Sequence, residues 1–124
     1  LKKAGYKIAI ISEDYEERIR EISLQYPTFE EVLRELDSLQ RSYPEISKLE
    51  TLGSVNNYPI IAMKITDNPL IEEEEPEIRF TGCHHGNEKI STVICLYYIK
   101  RLLSEYYENP LINYLVNNRE IWIL

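Results

Sequence analysis

Apolar and polar positions alternate along this chain in short blocks, and the block periods predict its elements. Residues 6–11 (YKIAII) are rich in β-branched side chains and predict a strand. Residues 13–22 carry Tyr15, Ile19 and Ile22 at helical spacing among dense charge, which predicts a short helix. Gln25-Tyr26-Pro27 breaks that pattern and sets a segment boundary. The clearest helix starts at Thr28. Thr28 and Glu31 stand as a T-x-x-E capping box, in which each side chain satisfies a free backbone N–H of the first turn. Phe29, Val32, Leu33, Leu36 and Leu39 then fall on one face. Pro44 disfavours helical geometry in the residue before it, so the helix is expected to stop near Tyr43.

Residues 48–52 and 60–66 predict two strands. Residues 53–58 (GSVNNY) predict the hairpin turn between them, with Asn57 suited to positive φ. Residues 69–76 form a loop holding four consecutive glutamates, Glu72 to Glu75. A solvated loop is the expectation for that run, with a calcium site as the alternative. Residues 77–83 (EIRFTGC) predict a strand entering the core, and residues 84–88 (HHGNE) a tight loop pivoting on Gly86. A long helix is expected over 89–107, apolar nearly all round in its first half and so buried between layers. Asn109-Pro110 ends it. One or two helical turns over 111–116 and a strand over 120–124 (EIWIL) complete the pattern. Helices interleaved with strands in this way predict an α/β fold with a mixed parallel and antiparallel sheet flanked by helices.

Composition narrows the function classes. The 124 residues hold 14 Lys and Arg against 21 Asp and Glu, a net charge of −7. An acidic chain is ill suited to nucleic acid or anionic membrane through general electrostatics. No apolar run approaches the ~20 residues that span a bilayer. Cys83 and Cys95 are too few for a disulfide framework. Cys83 is expected to end a strand and Cys95 to lie in the next helix, and two buried free thiols are the simpler reading. Residues 1–3 (LKK) lead into strand-like sequence rather than an apolar signal core. The chain starts without Met and stops on an apolar strand, so a piece of a longer protein is expected.

One constellation carries chemistry. His85-Gly86-Asn87-Glu88 follows a predicted strand and precedes a predicted helix, at the sheet end where open α/β folds bind ligands. A histidine and a glutamate three residues apart on such a turn offer an imidazole nitrogen and a carboxylate to one point ~2.0–2.2 Å from each, which suits zinc. The same residues also describe an exposed turn whose glutamate is favoured by the positive end of the helix. His84 is the only other histidine. Adjacent side chains point apart, so His84 is assigned to packing or support rather than to the metal. Catalytic zinc takes three protein ligands and a water, and this chain supplies two.

Several segments then occur in a specific order: 26–31 (YPTFEE), Leu36, Tyr43-Pro44, 52–55 (LGSV), 59–68 (PIIAMKITDN), 75–82 (EPEIRFTG), 85–88 (HGNE) and 115–123 (LVNNREIWI). As a set they resemble the start of the catalytic domain of zinc metallocarboxypeptidases of the carboxypeptidase A and T type. On that resemblance residues 26–124 form the N-terminal portion of the catalytic domain. Residues 1–25 are similar to the end of a pro-region or linker. The resemblance implies zinc-dependent hydrolysis of the C-terminal peptide bond, with peptide or protein C-termini as substrate and with secretion. It implies one Zn²⁺ held by His85 and Glu88. The third ligand, the general base and the carboxylate-gripping arginines belong to later sequence, so no catalytic residue is assigned within this chain. Asn87 falls where some members carry a substrate-contacting arginine, which makes it the substrate-binding candidate. Asn57-Tyr58 departs from the Gly-Arg of many members. The 124-residue chain alone is expected to lack peptidase activity and to bind zinc weakly. The competing readings are an N-acyl amino acid deacylase of the aspartoacylase type and a carboxypeptidase-like module that binds without catalysis.

Overall fold

A computed structural model describes residues 15–124. The strand expected over 6–11 lies outside the described residues. The elements run α1 (Tyr15–Ser23), α2 (Phe29–Ser42), β1 (Ser47–Val55), β2 (Tyr58–Ile65), β3 (Glu77–Phe80), α3 (Lys89–Ser104), α4 (Pro110–Val116) and β4 (Glu120–Ile123).

The local signals account for most of these boundaries. The Thr28 side chain accepts from the Glu31 N–H, and the Glu31 carboxylate accepts from the Thr28 N–H at 2.8 Å, closing the capping box that opens α2. Tyr43 caps its end immediately before Pro44. Asn109 caps α4 through its side-chain oxygen, with Pro110 in the first turn where a missing N–H costs nothing.

The four strands form one mixed sheet in the order β1-β2-β4-β3. β1 pairs antiparallel with β2, β2 antiparallel with β4, and β3 parallel with β4. The hairpin turn is tighter than the sequence suggests. Only Asn56 and Asn57 lie between the strands, both at positive φ (50° and 66°), as a two-residue primed turn requires. Both strands therefore run into the stretch expected to be loop.

Met63, Ile65, Ile121 and Ile123 point from the sheet to one side, where Leu36 of α2 and Leu96, Ile99, Leu102 and Leu103 of α3 join them in the core. Strand alternation sends Lys64 and Trp122, which are register partners, to the opposite face. The loop between β2 and β3 folds over that face, and Lys64 donates to the Ile71 carbonyl at 3.2 Å.

Four expectations need correction. β3 ends at Phe80, three residues before Cys83, because the chain turns sharply at Cys83, whose φ is 50°. α3 ends at Ser104, not at 107. Its first half is not enclosed: Ile90, Val93, Ile94, Tyr97 and Tyr98 are exposed, and among the described residues only the sheet side of the helix is covered. The glutamate run is not uniformly solvated either. Glu72 and Glu74 are exposed, whereas Glu73 and Glu75 turn inward and are half-buried.

Candidate functional site

The site grows from the parallel pair β3–β4. Both strands run to the same rim of the sheet, and the 81–88 segment leaves β3 there on its way to α3. Gly82 lets α3 come close. A side chain at this position would stand 3.1 Å from Cys95 Sγ, 3.2 Å from Thr92 Cα and 3.3 Å from the Ser91 carbonyl oxygen. The sharp turn itself is made by Cys83. Gly86, expected to be the pivot, is not at positive φ, and a side chain there would meet open space.

Ser91 braces the turn. The Cys83 N–H donates to Ser91 Oγ at 2.6 Å, and the Ser91 hydroxyl donates to the Glu88 carbonyl at 2.6 Å. The Glu88 N–H donates to the His85 carbonyl at 2.9 Å, closing the loop on itself. Glu88 is the N-cap residue of α3, yet its side chain makes no cap hydrogen bond. Its carboxylate faces His85 instead, with Oε1 3.0 Å from His85 Nδ1. Both side chains are open to solvent, 70% and 50% exposed.

Two zinc bonds of ~2.05 Å opening at a tetrahedral angle hold their donor atoms ~3.3 Å apart. The His85–Glu88 separation of 3.0 Å is therefore within a small side-chain adjustment of that span. An imidazole nitrogen beside a carboxylate oxygen is a fitting pair of donors for this metal. His84 packs edge-on against His85, with ring centroids 5.0 Å apart. Asn87 is exposed on the same turn. A mostly apolar cleft of ≈ 360 Å³ opens alongside, touching Cys83, Gly86 and Lys89 and backed by Phe29, Leu33 and Leu124. His85 and Glu88 are not in its wall.

The family model for zinc carboxypeptidases matches residues 32–124. The chain belongs to the zinc carboxypeptidase family. It is 36% identical over 100 residues to a zinc carboxypeptidase of Saccharothrix mutabilis subsp. capreolus, covering 80% of this chain and 23% of that protein. It is 35% identical over 102 residues to carboxypeptidase D of Rattus norvegicus, covering 81% of this chain and 7% of that protein. The fold matches the crystal structure of carboxypeptidase A from Helicoverpa armigera with a TM-score of 0.77 at 19% identity, over 99% of this chain and 34% of that one. The chain thus spans a quarter or less of these curated relatives. The mixed sheet with flanking helices is the fold of this family's solved members.

The family's residue pattern directs attention to 85–88 and not to the supports of the turn. Ser91 is an unremarked serine in the first turn of a helix. Gly82 looks like any glycine at a strand end. The signal for both is spacing: a small residue where strand and helix meet, and a hydroxyl three positions after the glutamate.

Proposed function

We propose that this chain is the N-terminal portion of a metallocarboxypeptidase, with His85 Nδ1 and the Glu88 carboxylate as two of the zinc ligands. The observation that carries the reading is their convergence, 3.0 Å apart, on a solvent-open turn at the carboxyl end of a parallel strand pair. Family membership supports it. Residues 26–124 belong to the catalytic domain and residues 1–25 precede it, a division supported by a family match that begins at residue 32.

Bound zinc supplies a Lewis acid that polarises a carbonyl and acidifies water. The chain's own residues prepare its place. Ser91 and the Glu88–His85 backbone bond hold the turn, so the two donors are presented together rather than ordered on binding. Glu88, free of capping duty, keeps its carboxylate for the ion. His85 turns Nδ1 towards Glu88, and His84 packs edge-on against its ring. Asn87, on the same exposed turn, is assigned to contact the peptide substrate.

The test is hydrolysis by the protein that carries this chain. Peptides with a free C-terminus should lose their last residue, and H85A and E88Q should each abolish the reaction. N-acyl amino acids should be poor substrates. Preference for N-acyl amino acids would overturn the peptidase reading in favour of a deacylase. Binding of peptides without turnover would overturn it in favour of a binding module.

A further inference from the structure

The sheet has two outer strands, β1 and β3, and they end it differently. On β1 the Leu49 N–H donates to the Gln40 side-chain oxygen at 2.7 Å, and a register shift between Thr51 and Gly53 interrupts the ladder. Devices of this kind keep an edge from pairing with another chain. β3 has neither. It pairs with β4 on one side, and among the described residues no strand pairs with its other side. The hydrogen bonds fix which of its groups look outward. The Pro76 and Phe80 carbonyls accept from the Glu120 and Leu124 N–H groups, and the Gly82 N–H donates to the Leu124 carbonyl. Alternate residues of a strand bond to the same neighbour. Glu77 and Arg79, which fall between these positions, therefore present their N–H and C=O groups to the open edge.

An apolar flank continues this edge. Ile78 and Phe80 are register partners of the core residues Ile121 and Ile123, so they lie on the helix side of the sheet. Phe80 stacks on Tyr98 of α3 with ring centroids 5.5 Å apart, and Ile94 stands one helical turn before Tyr98. Phe80, Ile94 and Tyr98 are all exposed. The other flank of α3 is turned to α2, where Lys100 pairs with Glu35. The exposed apolar side chains therefore border the open strand rather than the groove between the helices.

We propose that two copies of this chain pair through β3, antiparallel about a two-fold axis at Ile78. Charge selects both the partner and the register. Hydrogen-bonded pairing needs outward-facing residues opposite one another. Setting Glu77 against Glu77, or Arg79 against Arg79, would place like charges together. Setting Glu77 against Arg79 places opposite charges together, and the axis repeats that pair. A second copy of the same strand thus supplies its own complement. Glu77 also stands beside Glu120 on the adjacent strand, and an arginine on its open side offsets that like-charge neighbour. In this register Ile78 meets its own copy, with a Phe80–Tyr98 stack on either side, so the apolar flank is covered by the same contact. The interface is independent of the zinc reading.

The experiment is sedimentation equilibrium of the 124-residue protein over a concentration series. The proposal expects a monomer–dimer equilibrium. E77R and R79E should each weaken it by about tenfold or more, since each sets like charges opposite one another across the axis. Both positions are exposed, so both variants keep the fold. Mixed together, E77R and R79E should associate with each other, because both pairs again set Arg against Glu. K48E, on the β1 edge, and H85A should leave dimerisation unchanged. A single species with the mass of one chain at every concentration overturns the proposal. So does undiminished dimerisation of E77R and R79E, or their failure to associate when mixed. A monomer whose Arg79 N–H is protected from hydrogen exchange places another segment of the chain on this edge and overturns it as well.

Discussion

Lys64 Nζ lies 2.6 Å from Glu120 Oε1, with the two side chains 3% and 0% exposed. The pair bridges the central strands β2 and β4 beneath the loop that covers that face of the sheet. Burial alone would lower the Lys64 pKa, but the carboxylates of Glu120, Glu72 and Glu50 outweigh it and hold the ammonium above its usual 10.5. Removing one partner strands the other charge in a dry place. K64M should therefore destabilise the fold by about 3–5 kcal/mol. K64M/E120L should recover most of that loss, because two apolar groups leave no orphaned charge. Denaturant unfolding of the three proteins measures both effects. The raised Lys64 pKa adds stability that is complete below pH 10.5 and is lost as pH climbs through the folded value.

Gly82 and Gly86 make a contrasting pair. G82A must push against the backbone of Thr92 and Ser91 as well as Cys95 Sγ. It should cost about 1–3 kcal/mol by overpacking the β3–α3 junction. G86A meets nothing within 4 Å and should change stability by less than about 0.5 kcal/mol. Thermal melting of the two variants distinguishes this from a turn that depends on Gly86.

The capping box predicts a pH effect of known sign. Backbone and side-chain hydrogen bonds from Thr28 hold the Glu31 carboxyl below its usual 4.5. The stability this provides is present above pH 4.5 and is lost as pH falls through the lower folded value. T28A should destabilise α2 by about 1 kcal/mol and return the Glu31 pKa towards 4.5. NMR titration of the Glu31 carboxyl in both proteins checks this.

These cases show where the sequence speaks and where it does not. The capping box, the Asn56-Asn57 turn and the His85–Glu88 pair are local: partners within three residues, on spacings that each geometry demands. The mixed sheet follows from strands that alternate with helices. Lys64 sits in an otherwise apolar strand, where alternation marks it as facing away from Met63 and Ile65 but says nothing of what covers it. Its partner Glu120 is more than fifty residues away, and the loop that buries both is acidic and looks solvated. The requirement for glycine falls at Gly82 rather than Gly86 because it comes from a helix packing against the strand end, a tertiary contact with no local signature. The apolar composition of the first half of α3 predicts its burial, yet periodicity reports only which faces are apolar, not whether a neighbour covers them.

The most direct test of the account is zinc affinity, measured by competition against a chelating dye, for the unaltered chain and for H85A, E88Q and H84A. The account predicts one zinc per chain. H85A and E88Q should each weaken binding by about tenfold or more, and H84A by clearly less, as befits a neighbour with only an edge-on ring contact to the ligand. Unchanged affinity in H85A, or a loss that follows His84 instead, would contradict it.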